Sequence, residues 1–195
     1  MPIKGQKTTS SYVDWNTITN LILKLERDGN WKFAILISIG IFTGLRISDI
    51  LSLHWGDLLN KDSLGILEIK TKKYRSVTLN PQLQDIVSRI FNVQKISNPD
   101  ALIFLNRWGT KAIRTQYVNT TLKKIFIKYK ISKDGASISA HSLRKSFGRR
   151  IWEVHQNSEK SLVILSEVLK HSSIATTKIY LGIREEEISE IYLNL

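Results

Sequence analysis

Four short stretches of this 195-residue chain carry side chains whose types and spacing could do chemistry on an anion. In Thr43-Gly44-Leu45-Arg46-Ile47-Ser48-Asp49 a glycine turn puts Arg46 at the start of a helix, where a cation is unfavourable unless an anion binds beside it. Asp49 lies one turn on and could orient the guanidinium, although a surface Arg–Asp pair would look the same. Lys70 opens the basic stretch Lys70-Thr71-Lys72-Lys73-Tyr74-Arg75, which reads as a turn that either solubilises the chain or meets phosphates. His141 and Arg144 share one helix face: an arginine forks onto two phosphate oxygens while an imidazole exchanges a proton. His171 precedes Tyr180 by nine residues. A tyrosine there commonly belongs to the core, yet its phenol becomes a covalent nucleophile where neighbouring cations favour the ionised form.

The elements that must position these groups are legible from periodicity. Asp14 is a fitting N-cap for a helix over Trp15–Arg27, with Ile18, Leu21, Ile22 and Leu25 on one face and Asp28-Gly29-Asn30 as its stop. Trp31–Phe42 is apolar on nearly every side, which predicts a buried central helix ending at Thr43-Gly44, just before Arg46. A short helix is expected at Ile47–Leu53. The period then changes: Gly65–Ile69 and Ser76–Leu79 read as strands flanking the basic turn. Asn80-Pro81 opens another helix, and Ala101–Phe104 is a third strand or a buried loop. Thr115–Tyr129 is amphipathic through Val118, Leu122, Ile125, Phe126 and Tyr129, with Lys123, Lys124 and Lys128 off the stripe. Helices follow at Ser142–Val154, Glu159–Leu169 and Ile174–Tyr180, and a last one at Glu185–Leu195 carries Ile188, Ile191, Tyr192 and Leu195 on one side. The expected fold is α+β and mostly helical with a small antiparallel sheet: a flexible lead-in at 1–13, one domain at 14–183, and a helical tail at 184–195.

Composition narrows the partner. Lys and Arg number 29 against 17 Asp and Glu, a formal net charge of +12, which favours a polyanion, nucleic acid ahead of a membrane surface. Between Arg107 and Arg150 twelve basic residues face one acid, Asp134, whereas Arg184–Glu190 holds four acids and one base. With no cysteine, a disulfide scaffold, cysteine-ligated zinc or iron–sulfur and thiol catalysis are excluded. The longest apolar run, Ala34–Phe42, is too short to span a bilayer, and no basic-then-apolar signal opens the chain, so a cytoplasmic protein is expected.

Taken in order, the motifs resemble those of the tyrosine recombinase (phage integrase) family: TGLRISDIL with Arg46, IKTKKYRSV with Lys70, HSLRKSFG with His141 and Arg144, and LKHSSIATTKIYL with His171 and Tyr180. The resemblance covers residues 14–183, and Lys170 stands where the family motif has Gly before the second His. It implies a site-specific DNA recombinase, of integrase or invertase type, in which Tyr180 attacks a scissile phosphate to give a 3′-phosphotyrosyl link. Arg46, Arg144 and His171 would stabilise the phosphate, Lys70 would protonate the leaving 5′-oxygen, and His141 would move the tyrosine proton. Asp49 would buttress the active-site arginine. No metal, ATP or other cofactor is implied. Double-stranded DNA would be held by Lys72, Lys73, Arg75, Arg114, Lys123, Lys124 and Lys145, in a homo-tetramer linked through the C-terminal tail, with no membrane involved. Only 45 residues precede Arg46, too few for the family's N-terminal DNA-clamping domain, so a small stand-alone recombinase or a catalytic fragment is expected. A type IB topoisomerase-like nicking-closing enzyme and a non-catalytic DNA-binding module of the same fold are the competing readings.

Overall fold

The structure, a computed structural model, describes residues 10–132 and 137–194. Residues 1–9 of the expected lead-in, Lys133, Asp134 and Leu195 lie outside the described residues. The chain runs α1 (Trp15–Arg27), α2 (Trp31–Thr43), α3 (Ile47–Ile50), α4 (Trp55–Leu58), β1 (Ser63–Leu67), β2 (Tyr74–Thr78), α5 (Pro81–Val93), α6 (Thr115–Lys128), α7 (Ala140–Val154), α8 (Glu159–Val168), α9 (Ile174–Leu181) and α10 (Ile183–Leu193).

α2 is the axis of the molecule. Its residues from Phe33 to Ile41 are all buried, and α1, α5 and α7 pack around it. Ser38, in the middle of this apolar helix, spends its hydroxyl on the Ala34 carbonyl at 2.8 Å, so no polar group is left unpaired there. α7 comes close because Gly40 has no side chain: a Cβ at that position would lie 2.9 Å from Leu143. α2 ends at Gly44 in the left-handed region (φ 60°), where a Cβ would also strike the Phe147 ring.

Two apolar cores result, with α7 as their shared wall. Leu143 belongs to the large core around α2, while Phe147, Ile151 and Trp152 pack on a smaller one formed by Leu162, Leu165, Leu169, Leu181 and Ile183. The residues that could do chemistry fall along the seam between them. At the other edge β1 and β2 form an antiparallel pair in the register Leu64↔Val77 and Leu67↔Tyr74.

Several expectations are corrected. Both strands begin two residues earlier than predicted, and β1 stops at Leu67 because the chain then turns inward to bury Glu68 and the Ile69 N–H goes to Asp49. The helix predicted over Ile47–Leu53 stops at Ile50, and an unforeseen α4 follows after a turn. Ala101–Phe104 is the buried-loop alternative, tied by the Ile103 N–H to the Leu53 carbonyl at 3.0 Å. The end of the lead-in is not free: the Ser146 hydroxyl accepts from the Val13 N–H and donates to the Val13 carbonyl, each at 2.8 Å, and Arg149 stacks on Tyr12.

α8 ends in a Schellman turn. The Lys170 N–H donates to the Glu167 carbonyl at 3.0 Å and the His171 N–H to the Ser166 carbonyl at 2.9 Å, which places Lys170 at φ 52°. This is a position for glycine, and a side chain there costs about 1 kcal/mol. Lys170→Gly should therefore raise stability by about 0.5–1 kcal/mol in urea unfolding; a loss of stability would show that the lysine side chain contributes more than its backbone strain costs.

Candidate active site

Arg144 lies on the first turns of α7, whose start is fixed by reciprocal Ser139–Ser142 capping and by the Ala140 N–H donating to Asn119 of α6 at 2.9 Å. Its guanidinium is buried, 3% exposed, and joins two helix ends: Nη1 donates to the Gly44 carbonyl closing α2, Nη2 to the Leu169 carbonyl closing α8 at 2.6 Å. An arginine has five N–H donors, so the two carbonyls do not exhaust them.

Arg46 leaves the α2–α3 junction, and its Nη1 donates to Glu68 Oε2 at 2.6 Å. Glu68 is fully buried; Thr71 Oγ1 donates to the same oxygen at 2.5 Å, and Arg75 Nη1 lies 3.8 Å from Oε1. Lys70 is exposed in the turn between β1 and β2, and its charge is felt at His141 together with those of Arg144, Lys145 and Arg46.

His171, delivered by the Schellman turn, holds Thr177 Oγ1 with Nδ1 at 3.0 Å, which leaves Nε2 for a ligand. Its ring meets that of Tyr180 edge-on at 4.9 Å. The Tyr180 hydroxyl is buried without a well-formed hydrogen bond of its own, and Lys145 Nζ sits 5.3 Å from the ring centre. Arg46, Arg144, His171 and Tyr180 thus lie close enough to perturb one another, and His141 feels the same two arginines together with Lys70 from the β1–β2 turn.

The electrostatics follow from burial in a cationic setting. Burial pushes the Tyr180 phenol up to about 12, against the pull of Arg144 and Arg46. Burial, then Arg144 and Arg46, hold His171 down at about 4. His141 is lowered by burial and by Arg144, Lys70, Lys145 and Arg46. Burial also brings Arg144 down to about 10, with Arg46 and Arg75 adding repulsion. At neutral pH the site therefore holds a protonated phenol, two uncharged imidazoles and an excess of guanidinium charge. Such an arrangement favours an anion, and it needs a base to ionise the phenol; His141 is free to accept a proton.

The condition set for Tyr180 is not met at rest, and three sequence expectations change here. Burial outweighs the cations at Tyr180, so the phenol is not ionised at rest. Asp49 does not hold Arg46: it is fully buried and accepts the Ile69 N–H at 2.9 Å, while Glu68 is the carboxylate on Arg46. Arg75 is no DNA-facing residue, being 7% exposed and donating to the Thr43 carbonyl at 2.7 Å. Lys145 is 8% exposed against Tyr180, because the α7 position after Arg144 points into the seam. Lys72, Lys73, Arg114, Lys123 and Lys124 are exposed. Glu68, Thr71 and Thr177 went unrecognised; the one available signal was that Glu68 is the sole acid between Asp62 and Asp85. So did a surface cleft of about 700 Å³ lined by Lys32, Arg107, Trp108, Lys111, Arg114 and Tyr117, with Arg107 stacked on Trp108.

This fold and site define a class: the phage integrase family profile matches residues 14–187, and the chain belongs to that family. It is 32% identical over 148 residues to the tyrosine recombinase XerH of Campylobacter jejuni, covering 75% of this chain and 40% of that protein. It is 31% identical over 169 residues to the probable integrase/recombinase YoeC of Bacillus subtilis, covering 84% of each. The chain thus spans less than half of the first relative and most of the second. In fold it is similar to the XerA recombinase (TM-score 0.71, 18% identity, 97% of this chain and 66% of that one) and to the catalytic domain of bacteriophage HP1 integrase (TM-score 0.57, 17% identity, 89% and 88%). No described helix is long and apolar enough to cross a membrane.

His171 gives the site a pH signature. Its folded-state value of about 4 lies below the ordinary 6.5, so unfolding takes up a proton between those limits and stability falls as pH drops through that window. Urea unfolding from pH 7 to pH 5 should show this loss, and His171→Asn should make it shallower, with the lowered His141 supplying the remainder; an equally steep fall in the variant would assign the effect elsewhere.

Proposed function

We propose that this chain is the catalytic domain of a site-specific DNA recombinase that cuts and rejoins double-stranded DNA through a 3′-phosphotyrosyl link. The observation that supports the reading is Tyr180 held against His171 and under the field of Arg144 and Arg46, with His141 in the field of the same two arginines and of Lys70. A buried phenol in a cationic seam is a poor core residue and a serviceable nucleophile.

The chemistry runs as a balanced transfer. The remaining N–H groups of Arg144 and Arg46, with Nε2–H of His171, take the nonbridging oxygens, whose charge grows as the phosphorus becomes five-coordinate. Tyr180 Oη bonds to phosphorus as its proton passes to the neutral His141. The P–O5′ bond breaks, and the departing 5′-oxygen takes a proton from the Lys70 ammonium. A free 5′-hydroxyl and a 3′-phosphotyrosine result. Attack by the 5′-hydroxyl of a partner strand reverses each transfer, returning one proton to Lys70 and one to Tyr180. The bond energy stays in the phosphotyrosine throughout.

The exposed cations Lys72, Lys73, Arg114, Lys123 and Lys124, with the Arg107–Trp108 cleft, are proposed to follow the DNA backbone, giving an affinity that falls steeply with salt. α10 exposes Ile188, Ile191, Tyr192 and Leu193 (46%, 63%, 74% and 81%), an apolar edge that fits docking on a neighbouring copy in a DNA-bound tetramer. The work would take place on DNA in the cytoplasm.

The test is a nicked suicide duplex, which loses the short 5′-hydroxyl fragment and traps the cut. Wild type should form a denaturant-stable protein–DNA adduct and Tyr180→Phe none, although both bind the duplex. An adduct that persists in Tyr180→Phe would refute the nucleophile.

A further inference from the structure

The turn that presents Lys70 is held by carboxylates that the chemistry above does not use. Glu68 Oε2 accepts Thr71 Oγ1–H at 2.5 Å and Arg46 Nη1–H at 2.6 Å. The Glu68 backbone closes the same turn, its N–H donating to the Lys73 carbonyl at 3.0 Å and its carbonyl accepting the Lys72 N–H at 2.9 Å. Between them the Ile69 N–H donates to Asp49 Oδ1 at 2.9 Å. Lys70 thus hangs between two pinned residues, Ile69 and Thr71, on a turn whose Lys72 adopts the left-handed φ of 55°. That conformation is unfavourable for a residue with a side chain, and the bonds to Glu68 and Asp49 help to hold the turn in one shape.

We propose that Glu68 and Thr71 are positioning residues for Lys70. The single oxygen Glu68 Oε2 receives both the guanidinium that binds the phosphate and the hydroxyl next to the lysine that protonates the leaving group. One buried carboxylate therefore sets the distance between the two. Glu68 is 0% exposed, and that oxygen is filled from two sides, which leaves little freedom to the elements it joins. The inference rests on the reading of Lys70 as the group that protonates the 5′-oxygen.

A matched pair of suicide duplexes separates positioning of the acid from everything else. In one, the scissile 5′-bridging atom is oxygen, which must take a proton as the P–O bond breaks. In the other it is sulfur, which leaves as a thiolate because a thiol ionises near pH 8.5 and needs no donor. Adduct formation is followed in single turnovers at saturating enzyme. Thr71→Val, nearly isosteric but lacking the hydroxyl, should be about tenfold or more slower on the oxygen duplex and close to wild type on the sulfur duplex. Thr71→Ser should keep the wild-type rate on both. Glu68→Gln should be slow on both, because Arg46 loses its anion as well. Equal slowing of Thr71→Val on the two duplexes, or no slowing on oxygen, would overturn the proposal, as would full sulfur rescue of Glu68→Gln. Lys70→Ala is the control for the underlying reading: it must be rescued by sulfur, and without that rescue the acid assignment itself fails, whatever Thr71 does.

Discussion

A guanidinium taken out of water must have its donors met by fixed acceptors, because an unpaired buried charge costs several kcal/mol. Arg144 meets this demand with two main-chain carbonyls that end different helices, Gly44 closing α2 and Leu169 closing α8. Both are carbonyls that a helix cannot satisfy internally, and both sit at the negative end of a helix dipole. One side chain thereby fastens the large core, the small core and the start of α7. Everything downstream hangs on that junction. The Leu169 end leads within two residues to His171, and the Gly44 end leads within two residues to Arg46.

The second constraint is charge. Arg46, Arg75 and Arg144 lie close enough to perturb one another, with Glu68 and Asp49 as the fully buried carboxylates among them. The carboxylates are committed inward, Glu68 to Arg46 and Thr71, Asp49 to the Ile69 N–H. What remains facing the seam is cationic or neutral. The protein thus keeps Tyr180 protonated by burial while arranging around it the field that would stabilise a five-coordinate phosphate. Preorganisation of this kind is paid for in folding stability, and the left-handed Lys170 at the root of His171 is part of the same cost.

How much of this was legible in the sequence depended on whether the signal was local. α1 could be read to the residue because Asp14 caps it and Asp28-Gly29 stops it, both acting within one turn. The motif residues were legible because their order and spacing lie along the chain. Arg75 and Lys145 read as DNA contacts in the sequence because a basic residue looks alike on a surface and in a seam; only the bond from Arg75 to the end of α2, and the packing of α7 on α9, show them turned inward. Glu68 was hidden for the same reason. Its partner Arg46 is 22 residues away, and a strand end that dives inward leaves no periodic trace. The early end of β1 at Leu67 has this cause too, since burying Glu68 takes the chain out of the ladder.

The arginine expected to bind the phosphate is also the pivot of the fold. Equilibrium urea unfolding of Arg144→Lys tests it most directly. Lysine keeps the charge but lacks the fork that reaches two carbonyls at once. Arg144→Lys should lose about 2–4 kcal/mol, as expected for charged hydrogen bonds removed from a buried junction. A variant within about 0.5 kcal/mol of wild type, the range of an ordinary surface substitution, would contradict it.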